Sequence, residues 1–497
     1  MQLKGNFLAL ASALSFAAVV AAGPVSFNKR ATSVSFDGRT FVNKGLVGFG
    51  RISGDSKDSY GESLGGLGSA IALDSWTKNA DGTYSGVLIA QPDRGHNTQT
   101  QTDYRARQQK FNIAFDPSKG SNTTENVNAT YVSSLLYTLN PATFNGDSNF
   151  TTGLDSTAVR PAAGIQPALP LAPSDNHISF DTEGLAFVPN SDLFFTSDEY
   201  AAYIYVGNKT SGQISYTIQP PAAITPIING QYNFSSNVDP NSGRISNQGF
   251  EGLTLDRNTN TLWACLQSAV AQDGGGSKST NRYTRLLGWN VTNPASASLI
   301  SEYVVPLPQS SKGNTRATSE IHVVDSTTFL ILARDGNGFG DTSSDSTFKD
   351  VDLISTKGAT NIANTKYDQP SSPVAPNGNL VSTVTPVKYG SFVNLIQKSE
   401  ISKFGLQVGG AIDRTLVASK LESLALAPTG DGDYFLFVVS DNDFITVNGS
   451  QAAEDSTGAY VNQAYSDPYS QTYGTADTQI FIWRVTLPGY AQTPTPN

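Results

Sequence analysis

The 497-residue chain carries 45 glycines and 25 prolines, is 10% aromatic and only 15% charged, and has a formal net charge of −10. This composition suits many short strands and turns, gives little support to long helices, and leaves nucleic acid without the basic surface it needs. A single cysteine, Cys265, excludes an intrachain disulfide, and its setting between Ala264 and Leu266 reads as a buried, inert thiol.

Residues 1–22 combine Lys4, an apolar run from Phe7 to Val20 and the small-residue exit Ala21-Ala22, the pattern of a secretory signal. The run is too short, and too promptly followed by Gly23-Pro24, for a membrane span. Residues 23–30 read as a propeptide ending at the dibasic Lys29-Arg30, so the mature chain starts at Ala31. Removing Lys4, Lys29 and Arg30 and no acid takes the charge from −10 to −13. An anionic small-molecule substrate then needs a local basic patch or a bridging cation. Seven Asn-x-Ser/Thr sequons, at Asn122, Asn128, Asn149, Asn208, Asn233, Asn290 and Asn448, agree with an extracellular glycoprotein. No membrane partner is implied, and a monomer is the default.

Ser33 to Phe36 and Leu46 to Phe49 read as short strands, and then a hairpin recurs along the chain. Its clearest copy is Glu251 to Leu255, a turn over Asp256 to Asn260, and Leu262 to Leu266. In an antiparallel pair this sets Glu251 beside Gln267 and Ser268. Glu183 to Phe187 with Leu193 to Glu199 is a second copy, Glu422 to Leu426 with Tyr434 to Asp441 a third, and Glu320 to Val324 with Thr328 to Asp335 a tighter fourth. Ser69 to Leu73 with Val87 to Arg94 is a degenerate fifth, with serine in place of the glutamate. Residues 98–175 read as an insertion with strands near Phe111 to Phe115 and Val132 to Leu139. Tyr283 to Trp289 reads as an outer strand, residues 336–350 and 357–380 as loops of an insertion near 336–400, and Tyr389 to Lys403 as the one substantial helix. Thr478 to Leu487 is a strand, and residues 491–497 are a Pro/Thr tail.

A hairpin recurring roughly every 70 residues predicts an all-β propeller in residues 31–490, with six blades and five or seven as alternatives. The N- and C-terminal strands together close the last blade, so that no free edge remains. If each hairpin is the inner pair of a blade, their acidic ends meet at one rim of the central channel. That rim gathers Glu183, Asp198, Glu199, Glu251, Glu320, Asp335, Glu422, Asp441 and Asp443, with Asp93, Arg94 and Arg334 at equivalent places. Carboxylates at this density repel one another unless cations intervene, and oxygen donors with three histidines in the whole chain suit Ca²⁺ over zinc or copper. The alternative for any one glutamate is structural: it ties down backbone amides of the neighbouring blade.

The ordered set Glu183-Gly-Leu, Ser197-Asp-Glu199, Gly249-Phe-Glu-Gly-Leu253, Arg282 to Leu287, Arg334-Asp335, Leu421-Glu-Ser-Leu424 and Ser440-Asp441 is similar to the phytase-like family described by "esterase-like activity of phytase". The likeness covers about residues 60–445 and implies a secreted propeller with a phosphoester or ester hydrolase role. A phosphoesterase of this kind uses bound Ca²⁺ with Arg94, Arg285 or Arg334 holding a phytate-like anion, and Glu183, Glu251 and Glu422 as the first candidates for catalysis. The other readings are a metal-dependent lactonase or carboxylesterase on the same rim, favoured by an apolar pocket beside the cation, and a binding propeller without catalysis. Gly61-Glu-Ser-Leu-Gly65 fits the nucleophile-elbow pattern but lacks the strand-turn-helix setting, and Asp431-Gly-Asp433 reads as a hairpin turn.

Overall fold

The computed structural model describes residues 32–98, 101–120, 125–174, 176–454 and 460–490. The signal, the propeptide, the tail and Asn122 lie outside them. Of the other sequons, Asn128, Asn149, Asn290 and Asn448 are exposed, and Asn208 and Asn233 are half-buried. Among the described residues no helix is long and apolar enough to cross a membrane.

Five antiparallel sheets stand around a central channel. Blade 1 runs outward through Ala70–Lys78, Tyr84–Gln91, Arg107–Phe115 and Val127–Leu136. Blade 2 runs through Thr182–Phe187, Leu193–Asp198, Ile204–Asn208 and Gln213–Ile218, with Thr138–Leu139 pairing parallel at its edge. Blade 3 is built of Phe250–Asp256, Thr261–Leu266, Tyr283–Asn290 and Ser298–Pro306, and blade 4 of Ala317–Asp325, Thr328–Arg334, Lys349–Ser355 and Lys388–Asn394. Blade 5 begins with Lys420–Pro428 and Tyr434–Asp441, takes Thr478–Thr486 as its third strand, and is completed by Arg39–Ile52 and Thr32–Phe36. Both chain ends therefore share one blade, as the closure argument expects.

The inner strands touch in the order 1, 2, 3, 4, 5 and back to 1, so the ring closes with five blades, the smaller alternative to six. The residues that made six plausible lie in two places. Residues 107–136, read as part of an insertion, are the outer half of blade 1, while Ala158–Arg160, Leu169–Ala172 and His177–Ile178 form a separate small sheet between blades 1 and 2. The long loops of blade 4 account for much of the rest. The predicted helix over Tyr389 to Lys403 is instead the outer strand of blade 4 followed by single turns, Lys398–Ile401 and Ser402–Phe404. Phe392 and Val393 explain the change. They are buried against blade 5, and a strand at the sheet edge delivers them there.

Each blade interface has its own apolar core. Leu262, Ala264, Phe195 and Val206 pack between blades 2 and 3; Phe435, Phe437, Leu88 and Phe111 pack between blades 5 and 1. Cys265 is fully buried in the layer between blades 3 and 4, where burial pushes its thiol far above the ordinary range. Glycines set how closely the inner strands approach. A Cβ on Gly184 would lie 2.4 Å from Leu253 Cβ and 2.8 Å from the Glu251 carbonyl oxygen.

Candidate functional site

Strand register decides which side chains reach the rim. Thr182 stands opposite Asp198, Phe250 opposite Leu266, Thr318 opposite Ala333 and Leu421 opposite Ser440. In each of these four hairpins the register shifts just after that pair, so the next residue sits in a bulge. Those residues are Glu183, Glu251, Ser319 and Glu422. One position past each second-strand partner, at the same rim, are Glu199, Gln267, Arg334 and Asp441.

Glu320 is thus one residue out of place. It aligns with Gly184 and Gly252, and its Oε1 accepts the backbone N–H of Leu253 at 2.9 Å and of Ile321 at 2.8 Å. It stitches blade 4 to blade 3 and is no rim ligand. Ser319 takes the rim position in blade 4, as Ser69 does in blade 1.

Two more predicted ligands turn away for related reasons. Asp198 accepts the N–H of Asp181 at 2.9 Å and of Ala201 at 2.7 Å. Asp335 accepts the Ser346 hydroxyl at 2.7 Å and the N–H groups of Thr347 and Phe348 at 2.7 and 3.1 Å, which shapes the loop of blade 4. Arg285 is also removed from the site. Its side chain is fully buried in blade 3, with Asp273 and Glu302 each at 2.7 Å.

The remaining acids converge. Carboxylate oxygens of Glu183, Glu199 and Glu251 lie within 4.8 Å of one another; so do those of Asp93, Asp181 and Glu183, and those of Asp93, Asp441 and Asp443. Asp93 and Glu183 each belong to two of these clusters, which makes one continuous acidic arc. Three cations answer it. Arg94 Nη1 lies 3.2 Å from Asp181 Oδ2. Lys420 Nζ donates to Asp441 Oδ2 at 2.9 Å and to Asp443 Oδ1 at 2.6 Å, and Arg334 donates to Glu422. Asp181 and Lys420 escaped the sequence reading although each stands two residues before a template glutamate, at equivalent positions of blades 2 and 5.

Burial and mutual repulsion leave these acids far from their ordinary behaviour. Burial, then Glu251 and Asp181, holds the Glu183 carboxyl well above the carboxylate range, and burial with Glu199 and Glu422 does the same to Glu251. Burial and Asp181 push Glu199 up to about 8. Burial and Asp441 raise Asp93. Asp443 goes the other way: burial would raise it, but Lys420, the hydrogen bond with Asp441 and the charge of Arg334 together lower it.

The cluster of Glu183, Glu199 and Glu251 is where a cation fits. Neither Arg94 nor Lys420 reaches it within ion-pair distance among the described residues, and Gln267 donates to Glu251 alone. Glu199 Oε1 is buried with no hydrogen-bond donor among the described residues. An uncommitted, buried carboxylate oxygen among two other carboxylates, with neither histidine nor cysteine in the set, matches a hard, oxygen-seeking metal ion.

The channel below the rim is lined by apolar strand residues interrupted by Thr254 and Glu320. Ile71, Leu73, Leu185, Phe187, Leu253, Leu255, Leu424 and Leu426 line a cavity of about 80 Å³ that extends to Arg257, His322 and Tyr490 at the far mouth. Tyr490 follows the last strand of blade 5 and approaches His322 Nε2 with its hydroxyl at 3.4 Å.

Comparison with known proteins adds the lineage. A solved periplasmic gluconolactonase from Pseudomonas aeruginosa is 12% identical, covering 87% of this chain and 94% of its own, at a TM-score of 0.30. A putative 6-phosphogluconolactonase from Bacteroides uniformis is 11% identical, covering 80% and 86%, at 0.28. Scores this low carry nothing beyond the ring already described. A protein of Arthroderma benhamiae (strain ATCC MYA-4681 / CBS 112371), named "Uncharacterized secreted protein", is 35% identical over 465 residues, 83% of this chain and 89% of its own. The family model "Phytase-like: Esterase-like activity of phytase" matches residues 63–444, spanning blades 1 to 4, the two inner strands of blade 5 and every residue of the acidic arc. The chain belongs to this phytase-like family.

Proposed function

We propose that the protein is a secreted hydrolase of phosphoesters on anionic small molecules, working at the acidic rim with a calcium ion held by Glu183, Glu199 and Glu251. The observation that carries this reading is the uncommitted Glu199 Oε1 within that three-carboxylate cluster. Calcium bound there supplies charge neutralisation for phosphate oxygens and lowers the pKa of a coordinated water. The chain's own residues do the rest. Asp93, raised by burial and Asp441 and within 4.8 Å of Asp181 and Glu183, is placed to hold a proton and donate it to the leaving oxygen. Arg94 is held by Asp181 and Arg334 by Glu422, so both add positive field without swinging into the channel.

Phosphoesters are favoured over lactones or carboxylesters because three cations stand among the rim acids. Phosphate release from a panel of phenyl, sugar and inositol phosphates, with calcium and with chelator, tests the reading. Release that needs calcium and is lost in the Glu183→Gln/Glu251→Gln double variant supports it. No release from any substrate, with melting indifferent to calcium, refutes it and makes the rim glutamates structural.

A further inference from the structure

We infer that Lys420 is the group that recognises the substrate's anion at this rim. The inference rests on the reading of the rim as a cation-organised phosphoester site. Lys420 occupies the position in blade 5 that Asp181 occupies in blade 2 and Gly249 in blade 3, directly facing Asp441 across the inner hairpin. An ammonium has three N–H donors. Two are used, on Asp441 and Asp443 at 2.9 and 2.6 Å. Glu422 lies 3.9 Å away, beyond hydrogen-bonding reach, so among the described residues the third donor has no partner.

The other two rim cations are placed differently. The Arg94 and Arg334 side chains are 11% and 12% exposed, and the Nε of each is sealed from solvent without an acceptor. The Lys420 side chain is 29% exposed. Of these three cations it is the most exposed, and its third N–H is uncommitted among the described residues.

The acids around it hold it in place. Asp441 and Asp443 anchor the ammonium between the cluster they form with Asp93 and the neighbouring Glu422. Asp443 and Phe444 both adopt left-handed backbone conformations, φ 50° and 54°, which non-glycine residues rarely take. The Phe444 ring fills the space over Gly65 and Gly66 and meets Tyr104 edge-on with centroids 5.1 Å apart. This wedge fixes the turn that carries Asp443, and Asp443 fixes the ammonium. A phosphate bound at the cation therefore finds a second positive contact already oriented, and a neutral ester gains nothing from it.

The test is calorimetric titration of the full-length secreted protein, first with calcium and then, calcium-loaded, with inorganic phosphate, for the wild type, Lys420→Gln and Lys420→Arg. The expected result is phosphate binding weakened about tenfold or more in Lys420→Gln and kept within about threefold in Lys420→Arg, with calcium affinity not reduced in either. A folded Lys420→Gln that binds phosphate like the wild type overturns the inference, as does equal loss in both variants, which would mark Lys420 as only a structural counter-ion. A wild type that binds calcium but no phosphate also overturns it while leaving the cation site standing. If calcium itself does not bind, the rim reading fails separately, and the phosphate titration without calcium still decides the role of Lys420.

Discussion

Glu320 Oε1 accepts the backbone N–H of Leu253 at 2.9 Å, which ties the inner strand of blade 4 to that of blade 3. The carboxyl is held well above the ordinary range by burial and enters the bond through one oxygen that also takes the Ile321 N–H. An amide oxygen can do the same. Glu320→Gln is therefore expected to melt like the wild type, whereas Glu320→Ala leaves two buried N–H groups without an acceptor and loses about 1–3 kcal/mol. Calcium affinity is unchanged in both, measured by titration alongside denaturant unfolding.

Glu199 and Asp335 make a contrasting pair. Glu199→Gln removes one charge from the three-carboxylate cluster and is expected to lower calcium affinity about tenfold or more. Asp335→Asn weakens the loop of blade 4 by about 1–3 kcal/mol and leaves calcium affinity alone. Equal calcium affinity in the wild type and Glu199→Gln would move the cation elsewhere on the arc.

Stability should depend on pH more steeply without the cation than with it. Burial and Asp181 raise the Glu199 carboxyl from its ordinary 4.5 to about 8 in the folded protein. Above about pH 4.5 the unfolded chain has released this proton while the folded chain keeps it, so raising the pH favours unfolding. The contribution is complete below about 4.5 and lost as the pH passes about 8. Melting temperature in chelator is expected to fall from about pH 5 to pH 8, and saturating calcium to flatten the fall. A chelated protein that melts at the same temperature across that range would contradict the assignment.

Arg285 supports blade 3 from inside. Truncation to Met leaves Asp273 and Glu302 buried without their cation, and a loss of about 3–5 kcal/mol is expected. Phosphate release per folded molecule stays at the wild-type value. A specific loss of substrate affinity in folded Arg285→Met would return this arginine to the site.

Gly184 sets the spacing between blades 2 and 3. A methyl group there meets Leu253 Cβ at 2.4 Å and Ser197 Oγ at 2.6 Å, so the strands must part. Gly184→Ala is expected to lose about 1–3 kcal/mol in denaturant unfolding. It should also weaken calcium binding, since Glu183 and Glu251 ride on the strands that move apart.

Local chemistry alone settled much of this molecule. Alternating apolar residues bounded by turn residues identify the inner hairpins, their recurrence implies a ring, and a glutamate or its partner at each hairpin end foretells an acidic rim. Glu183, Glu199, Glu251, Glu422 and Asp441 were legible because their positions follow from strand alternation within one hairpin. Tertiary structure decided the rest, because it depends on register and on contacts between distant segments. A bulge of one residue sends Glu183 and Glu251 into the channel, and a shift of one residue sends Glu320 into a backbone interface. Asp181 acquires its meaning from Arg94 and Asp93 of the neighbouring blade, Lys420 from the turn that brings Asp443 beside Asp441, and Arg285 loses its meaning to Asp273 and Glu302. The blade count itself was decided by closure: the ring shuts when inner strands meet side to side, and no count of residues along the chain says which of them are spent on loops.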